Sequence, residues 1–262
     1  MERVRPKKHL GQHFLKDDSI CERISTIYSQ KNSSNALLEI GPGMGALTKH
    51  LTKLENKTLL CIEYDKESVD YLQEHSELDE KHIIYGDFLK IDLKNIFKDA
   101  PFDVIGNFPY NISSQILFKC LEYKDQVNQI TGMFQKEVAE RICSTPGSKS
   151  YGILSVLMQA YYNVDYCFTI NEDAFIPPPK VKSAVINCIR NKNKALPCDE
   201  KAFKIIVKTA FNQRRKTLRN SLKSIYNNPE VQLPFQQKRA EELSVDDFIE
   251  LSLFISKSQD TN

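Results

Sequence analysis

Four residues near the middle of the chain, Asn107-Phe108-Pro109-Tyr110, have the side-chain types needed to handle a weakly nucleophilic aromatic amine. The lone pair of an adenine amino group is delocalised into its ring. Acceptors on the two amine hydrogens favour a more tetrahedral nitrogen and aim that lone pair outward. The Asn107 side-chain carbonyl and the Phe108 main-chain carbonyl can supply them. Pro109 stiffens the turn, and Tyr110 offers a face on which an extruded base can stack. Such a site works by position and electrostatics and needs neither a metal nor a strong base. The alternative is a strand-end turn carrying a buried tyrosine.

A second group lies upstream. The apolar run Ala36-Leu37-Leu38-Glu39-Ile40 reads as a buried strand and leads into the turn Gly41-Pro42-Gly43-Met44-Gly45. Glu63, 22 residues beyond Gly41, ends the next apolar run and has the spacing of a ribose-binding acid. The turn is G-x-G-x-G, not the G-x-G-x-x-G of dinucleotide sites, which seat a pyrophosphate at a helix N-terminus. It resembles the motif with which class I methyltransferases hold S-adenosylmethionine, although a dehydrogenase turn or a tight structural corner stays open. A cofactor without phosphate is not repelled by Glu39, and a carboxylate favours its positive methionine end. Asp87, after the strand-like His82-Ile83-Ile84-Tyr85, can accept from the cofactor's adenine amino group or cap the segment at Phe88-Leu89. Asn107-Phe108-Pro109-Tyr110 in turn resembles the (Asn/Asp)-Pro-Pro-(Tyr/Phe) signature of amino-directed methyltransferases.

The elements that must position these groups follow from periodicity. Strands are predicted at 36–40, 58–62, 82–85 and 102–105, alternating with helices at 47–54 and 66–75. The pattern predicts an α/β fold with a doubly wound, mostly parallel sheet. Helices are predicted at 112–123 and 135–143, a helix packed on the sheet at 151–162, and closing strands at 166–170 and 183–189. Pro177-Pro178-Pro179 forces an extended loop between those two strands. Residues 191–199 are turn-rich, 201–226 helical in pattern, 227–234 a break, and 235–256 suggest two more helices. The expected organisation is a large domain at 1–192 and a small all-α domain at 193–262.

Bulk properties exclude several classes. Hydrophobic residues make up 41% and charged residues 27%, as in an ordinary globular protein. No apolar run approaches the roughly 20 residues of a membrane span, and the basic N-terminus is followed by no apolar stretch, so a cytoplasmic location is expected. Seven scattered cysteines without C-x-x-C spacing argue against a disulfide framework and a zinc site. The net charge of +2 does not by itself imply nucleic acid. Its clusters, Arg3, Arg5, Lys7 and Lys8 at the start and Arg214, Arg215, Lys216 and Arg219 later, fit a phosphate backbone or are solvated faces.

Several motifs in order along the chain resemble those of the ribosomal RNA adenine dimethyltransferases. They are His9-Leu10-Gly11-Gln12-His13-Phe14-Leu15, Glu39 to Gly45, Gly86-Asp87, Asn107 to Ile112, Phe175 to Val181, and Phe211 to Leu218. The resemblance implies a Rossmann-like class I methyltransferase domain that dimethylates N6 of two adjacent adenosines near the 3′ end of small-subunit ribosomal RNA, in the immature small subunit. It implies that His13, Leu15, Gly41, Glu63, Asp87 and Asn107, with Gly43 in the same turn, contact S-adenosylmethionine, which leaves as S-adenosylhomocysteine. It implies that Phe175 faces Tyr110 around the flipped base, unless it is a core aromatic, and that Arg214, Arg215, Lys216 and Arg219 lie on one RNA-facing helix. His13 stands where the family usually has Asn, and Phe108 where Leu is common. Nothing suggests an obligate oligomer, and a monomer is expected. A nucleic-acid-binding assembly or transcription factor with a vestigial site, and a large-subunit RNA or DNA adenine methyltransferase, are the competing readings.

Overall fold

The structure, a computed structural model, describes residues 4–31, 34–191, 195–226 and 231–260. The chain divides into two compact units, one of residues 1–139 and 163–190, the other of 140–162 and 191–262. The division expected at 192–193 falls outside the described residues, as do Arg3 and the first part of the break expected at 227–234. Residues 140–162, which the sequence leaves in the first domain, group with the later helices.

In the first unit the strands are β1 (Phe14–Leu15), β2 (Ala36–Ile40), β3 (Thr58–Glu63), β4 (Ile83–Tyr85), β5 (Phe102–Asn107), β6 (Val127–Gln135), β7 (Tyr162–Ile170), β8 (Phe175–Ile176) and β9 (Ser183–Arg190). Its helices are α1 (Asp18–Ser29), α2 (Thr48–Leu51), α3 (Lys66–His75), α4 (Lys94–Phe97) and α5 (Ser113–Glu122). Seven strands form one sheet in the order β4-β3-β2-β5-β6-β9-β7. β2 pairs in parallel with β3 and β5, β3 with β4 and β5 with β6, while β9 runs antiparallel to β6. This is the Rossmann-like, doubly wound sheet expected from the sequence, closed by one antiparallel pair. The strand order reverses between β2 and β5, and a crevice forms at such a switch point outside the carboxyl ends of the strands.

β6 and α1 are the longest elements that went unread in the sequence; β1, α4 and β8 are the others. β6 carries Gln129, Thr131 and Gly132 in its middle and lacks an apolar signature. It is nevertheless buried, because Gln129 and Thr131 both donate to the Asn187 side chain on β9, at 3.0 and 2.9 Å. α1 begins at the Asp17 cap, whose carboxylate accepts from the Ser19 N–H, and it buries Cys21, Ile24, Ser25 and Tyr28. The Tyr28 hydroxyl donates at 2.8 Å to Asp103 on β5, which also accepts from Ser34.

The second unit receives the chain through α6 (Lys136–Cys143) and is built from α7 (Ile153–Tyr161), α8 (Glu200–Asn212), α9 (Leu218–Ser221) and α10 (Val245–Asp260). It is the small all-α C-terminal portion, extended by α7. α7 packs on α8 and α10, so its apolar face serves this helical core. Phe203, Ile206, Val207 and Ala210 line the buried side of α8 at helical spacing, and the Phe211 ring meets Tyr151 and Phe248 at 6.1 and 5.9 Å.

Candidate active site

Parallel strands β2 and β5 are in register, with Leu38 opposite Val104 and Glu39 opposite Ile105, so both deliver their turns to the same edge. The glycine turn follows β2, with Gly41, Gly43 and Gly45 at φ +68°, +57° and +80°. The Asn107-to-Tyr110 turn follows β5. The two touch: a Cβ on Gly41 would stand 3.7 Å from Pro109 Cδ. Gly43 is confined further, because a Cβ there would come within 2.9 Å of the Phe14 ring. The turn thus needs glycine for both its backbone and its space.

Glu39, Gly41, Gly43, Glu63, His13, Leu15 and Asn107 to Tyr110 line one cleft. An adjoining cleft shares Gly41, Glu63 and Pro109 and continues to Tyr64, Asp87, Phe88 and Leu89. Every residue expected to hold the cofactor borders one of these clefts, which together form a single bed. Glu63 receives the Gly43 N–H at 3.0 Å and the Asp65 N–H at 2.8 Å, one on each carboxylate oxygen. The Tyr64 N–H also bonds this carboxylate, which has about four acceptor positions, so room remains for a hydroxyl donor. Burial pushes the Glu63 pKa up, against the pull of those N–H groups. Asp87 accepts from the Leu89 N–H at 3.0 Å while bordering the bed, so it is a turn cap and a cleft acid at once.

Glu39 is the more perturbed acid. It is 1% exposed and accepts from the Thr48 hydroxyl at 2.7 Å and from the Cys61 thiol. Burial raises its pKa to about 7, with the Glu63 charge adding to the rise. Two buried acids without a cation among the groups that set the Glu39 pKa would repel a pyrophosphate. They suit a ligand with a positive end and ribose hydroxyls, and S-adenosylmethionine fits this bed.

A pH dependence follows. Below about pH 7 Glu39 is protonated in the free protein, and a cation binding beside it must expel that proton. Affinity for S-adenosylmethionine is therefore expected to weaken as pH falls below 7, by up to about tenfold per unit, and to level off above it. Calorimetry at pH 6, 7 and 8 checks this, and Glu39→Gln should flatten the profile. The free protein carries the opposite slope. Its unfolded Glu39 ionises near 4.5, so stability is lost as pH climbs from there to about 7.

At the other end of the bed, the Asn107 amide donates from Nδ2 to the His13 carbonyl at 3.0 Å. That bond fixes the amide and leaves Oδ1, a pure acceptor, for the cleft. The Phe108 ring is fully buried. It meets Phe134 edge-on at 5.1 Å and lies against Gly106 and Gly132, where an added Cβ would come within 2.9 and 2.2 Å of it. This side chain anchors the turn, a role that sequence reading confined to its carbonyl. The Tyr110 hydroxyl is hydrogen-bonded to Ser183 Oγ on β9, and burial raises its pKa.

Phe175 departs from expectation, and His13 has protein partners besides its place in the cleft. The His13 imidazole donates from Nδ1 to the Pro177 carbonyl at 2.8 Å and stacks on Tyr110 at 5.5 Å. Phe175 pairs with Leu15 across β1 and β8 and is 1% exposed within the apolar core around Ile24 and Ile170. It shows no face to a base; the ring beside Tyr110 is that of His13. The N-terminal segment is strapped over Asp65 by Lys7 and Gln12, with Lys7 also 3.0 Å from Glu67. Burial alone would raise the Asp65 pKa, but the Lys7 and Gln12 bonds hold it below the usual carboxylate range. Lys7 is therefore an internal clasp, while Arg5 and Lys8 are exposed.

In the second unit, the cluster from Arg214 to Arg219 does not lie on one helix. α8 ends at Asn212, a turn carries Arg214, Arg215 and Lys216, and Arg219 sits on α9. The Leu218 and Arg219 N–H groups donate to the Lys238 and Gln236 carbonyls, which pulls the chain away from the α8 axis. Arg214 binds Glu241 and the Lys149 carbonyl, both at 2.5 Å, and so braces the unit. Arg215, Lys216 and Arg219 are exposed.

The chain is similar to known proteins along nearly its whole length. The family model of ribosomal RNA adenine dimethylase matches residues 3–257. The ribosomal RNA small subunit methyltransferase A of Parabacteroides distasonis is 55% identical over 259 residues, covering 98% of this chain and 96% of that protein. Its counterpart from Flavobacterium johnsoniae is 53% identical over 253 residues, 96% of each. A dimethyladenosine transferase from Plasmodium falciparum superposes with a TM-score of 0.80 at 25% identity, covering 94% of this chain and 98% of that one.

Proposed function

This chain belongs to the ribosomal RNA adenine dimethylase family, and from that premise we propose that it methylates N6 of two adjacent adenosines near the 3′ end of small-subunit ribosomal RNA. The product is N6,N6-dimethyladenosine, made as the subunit matures. The observation that carries the reading is the Asn107 amide, fixed by the His13 carbonyl beside an acidic bed.

S-adenosylmethionine, when bound, supplies an electrophilic methyl group on a sulfonium and leaves as S-adenosylhomocysteine. Gly41, Gly43, Glu63 and Asp87 would hold its adenosine portion, and Glu39 would face its positive end, next to His13 and Leu15. Asn107 Oδ1 and the Phe108 carbonyl accept the two hydrogens of the target amine and turn its lone pair outward. Tyr110, its hydroxyl tied to Ser183 and one side of its ring packed by His13, is the platform for the base. A methylated amine is acidic enough to shed its proton to water, so no strong base is required.

Residues 1–192 are read as the catalytic domain and 193–262 as the RNA-binding domain, with 140–162 contributing to the helical core. Exposed Arg215, Lys216 and Arg219 would meet backbone phosphates, and Arg214 would hold their turn. No helix among the described residues is long and apolar enough to cross a membrane. The reading is of a cytoplasmic monomer acting on the immature small subunit, independent of any metal.

Incubation with labelled S-adenosylmethionine and undermethylated small subunits, followed by mass-spectrometric mapping, tests it. Label in N6,N6-dimethyladenosine of the small-subunit RNA is the expected result. Label only in large-subunit RNA or DNA, or no label, would overturn it.

A further inference from the structure

Lys119 is a buried cation among main-chain carbonyls. It lies on α5, is 8% exposed, and its ammonium donates to the carbonyls of Phe88 and Ile91 while standing 5.0 Å over the Phe88 ring. Those carbonyls belong to the turn that begins at Asp87. The turn closes on Asp87 from within: its carboxylate accepts from the Leu89 N–H, and its carbonyl accepts from the Lys90 and Ile91 N–H groups at 2.9 and 3.1 Å. The outward-facing carbonyls are then gathered by one ammonium, which suits three diverging donors better than any neutral side chain. Burial lowers the Lys119 pKa, while the charges of Glu122, Asp87 and Asp92 pull it back. A lysine kept in such a place is costly unless it holds geometry.

The helix it comes from starts immediately after the catalytic turn, where the Ser113 hydroxyl donates to the Tyr110 carbonyl. One rigid helix therefore holds the amine-binding turn at its first residue and the Asp87 turn two turns later. We propose that Lys119 is a positioning residue for cofactor recognition: it sets the Asp87 carboxylate against the adenine of S-adenosylmethionine and so decides selectivity for a 6-amino purine. The inference rests on the proposed cofactor and adds to it a determinant outside the cleft, since Lys119 borders neither part of the bed.

The test compares the full-length protein with Lys119→Met, which keeps the length and apolar stem but removes the donors. Calorimetry measures S-adenosylmethionine and its 6-oxo analogue, in which the purine amino group is replaced by oxygen. In the variant, S-adenosylmethionine affinity is expected to fall about tenfold, with the preference over the 6-oxo analogue falling as far as in Asp87→Asn. Hydrogen exchange without cofactor should quicken at the Leu89, Lys90 and Ile91 amides, and kcat at saturating cofactor should stay within about twofold. Lys119→Arg should recover part of the affinity; should Lys119→Met not fold, Lys119→Gln, which loses the charge and one donor, should show the same losses in smaller degree. Unchanged selectivity and exchange in a folded variant would overturn the assignment, as would lost affinity without faster exchange at those amides. Failure of the wild-type protein to bind S-adenosylmethionine would instead overturn the cofactor reading together with this one.

Discussion

Replacing Asn107 by alanine is expected to lower kcat about 10²–10³-fold, the usual cost of removing one preorganised partner of a transition state. The side chain's Oδ1 is held for the amine only because Nδ2 is committed to the His13 carbonyl. Asn107→Asp should therefore also fail, despite its similar shape. A carboxylate oxygen facing the His13 carbonyl puts two acceptors together, and the side chain must rotate away. RNA affinity should stay within about twofold in both variants, because the exposed cations are elsewhere in the chain. Single-turnover methylation beside an RNA-binding titration measures the two effects separately. Wild-type turnover by Asn107→Ala would remove the proposed role of this amide.

The second large effect is expected at a residue that touches no reactant. A Cβ on Gly132 would lie 2.2 Å from Phe108 Cε2 and 2.9 Å from Phe134 Cε2, and neither fully buried ring can move aside freely. Gly132→Ala should cost about 1–3 kcal/mol of stability as an overpacking change. It should also lower kcat by roughly 10²-fold, since lifting the Phe108 ring shifts the Asn107 and Phe108 acceptors together. Thermal unfolding and kcat are the two readouts. Adding Phe108→Leu should restore much of both, because the smaller side chain vacates the overlap, and the double-mutant cycle should be strongly non-additive. A loss of stability with kcat intact would show that the ring supports the sheet but does not set the turn.

The sequence made the switch-point strands and their turns legible because each has a strong local signature. β2 is a nearly unbroken apolar run ending in glycines, and Asn107-Phe108-Pro109-Tyr110 stands at the end of another. What escaped depends on contacts far apart in the chain. β6 is a central strand with polar side chains satisfied by Asn187, about 60 residues away, so its alternation carries no hydrophobic signal. Phe175 and a base-stacking aromatic look alike in sequence; only the pairing of β8 with β1 sends this ring into the core. The partner of Arg214 was hidden for the same reason, since Glu241 is 27 residues downstream. Ser183 and Lys119 left no signal at all, because their partners are a hydroxyl and main-chain carbonyls on other elements.

The discontinuous path of the helical unit has a consequence for the newborn chain. α7 leaves the ribosome about 40 residues before α8, the first of the later helices it packs on, begins to emerge. At typical elongation rates of about 5–20 residues per second that interval is roughly 2–8 s. During it, α7, whose Leu154, Leu157 and Met158 are buried in the finished protein, still lacks α8 and α10. An enzyme of ribosome maturation thus begins its own existence with an apolar helix exposed in the exit-tunnel vestibule. That interval is when a nascent-chain chaperone would find most to hold.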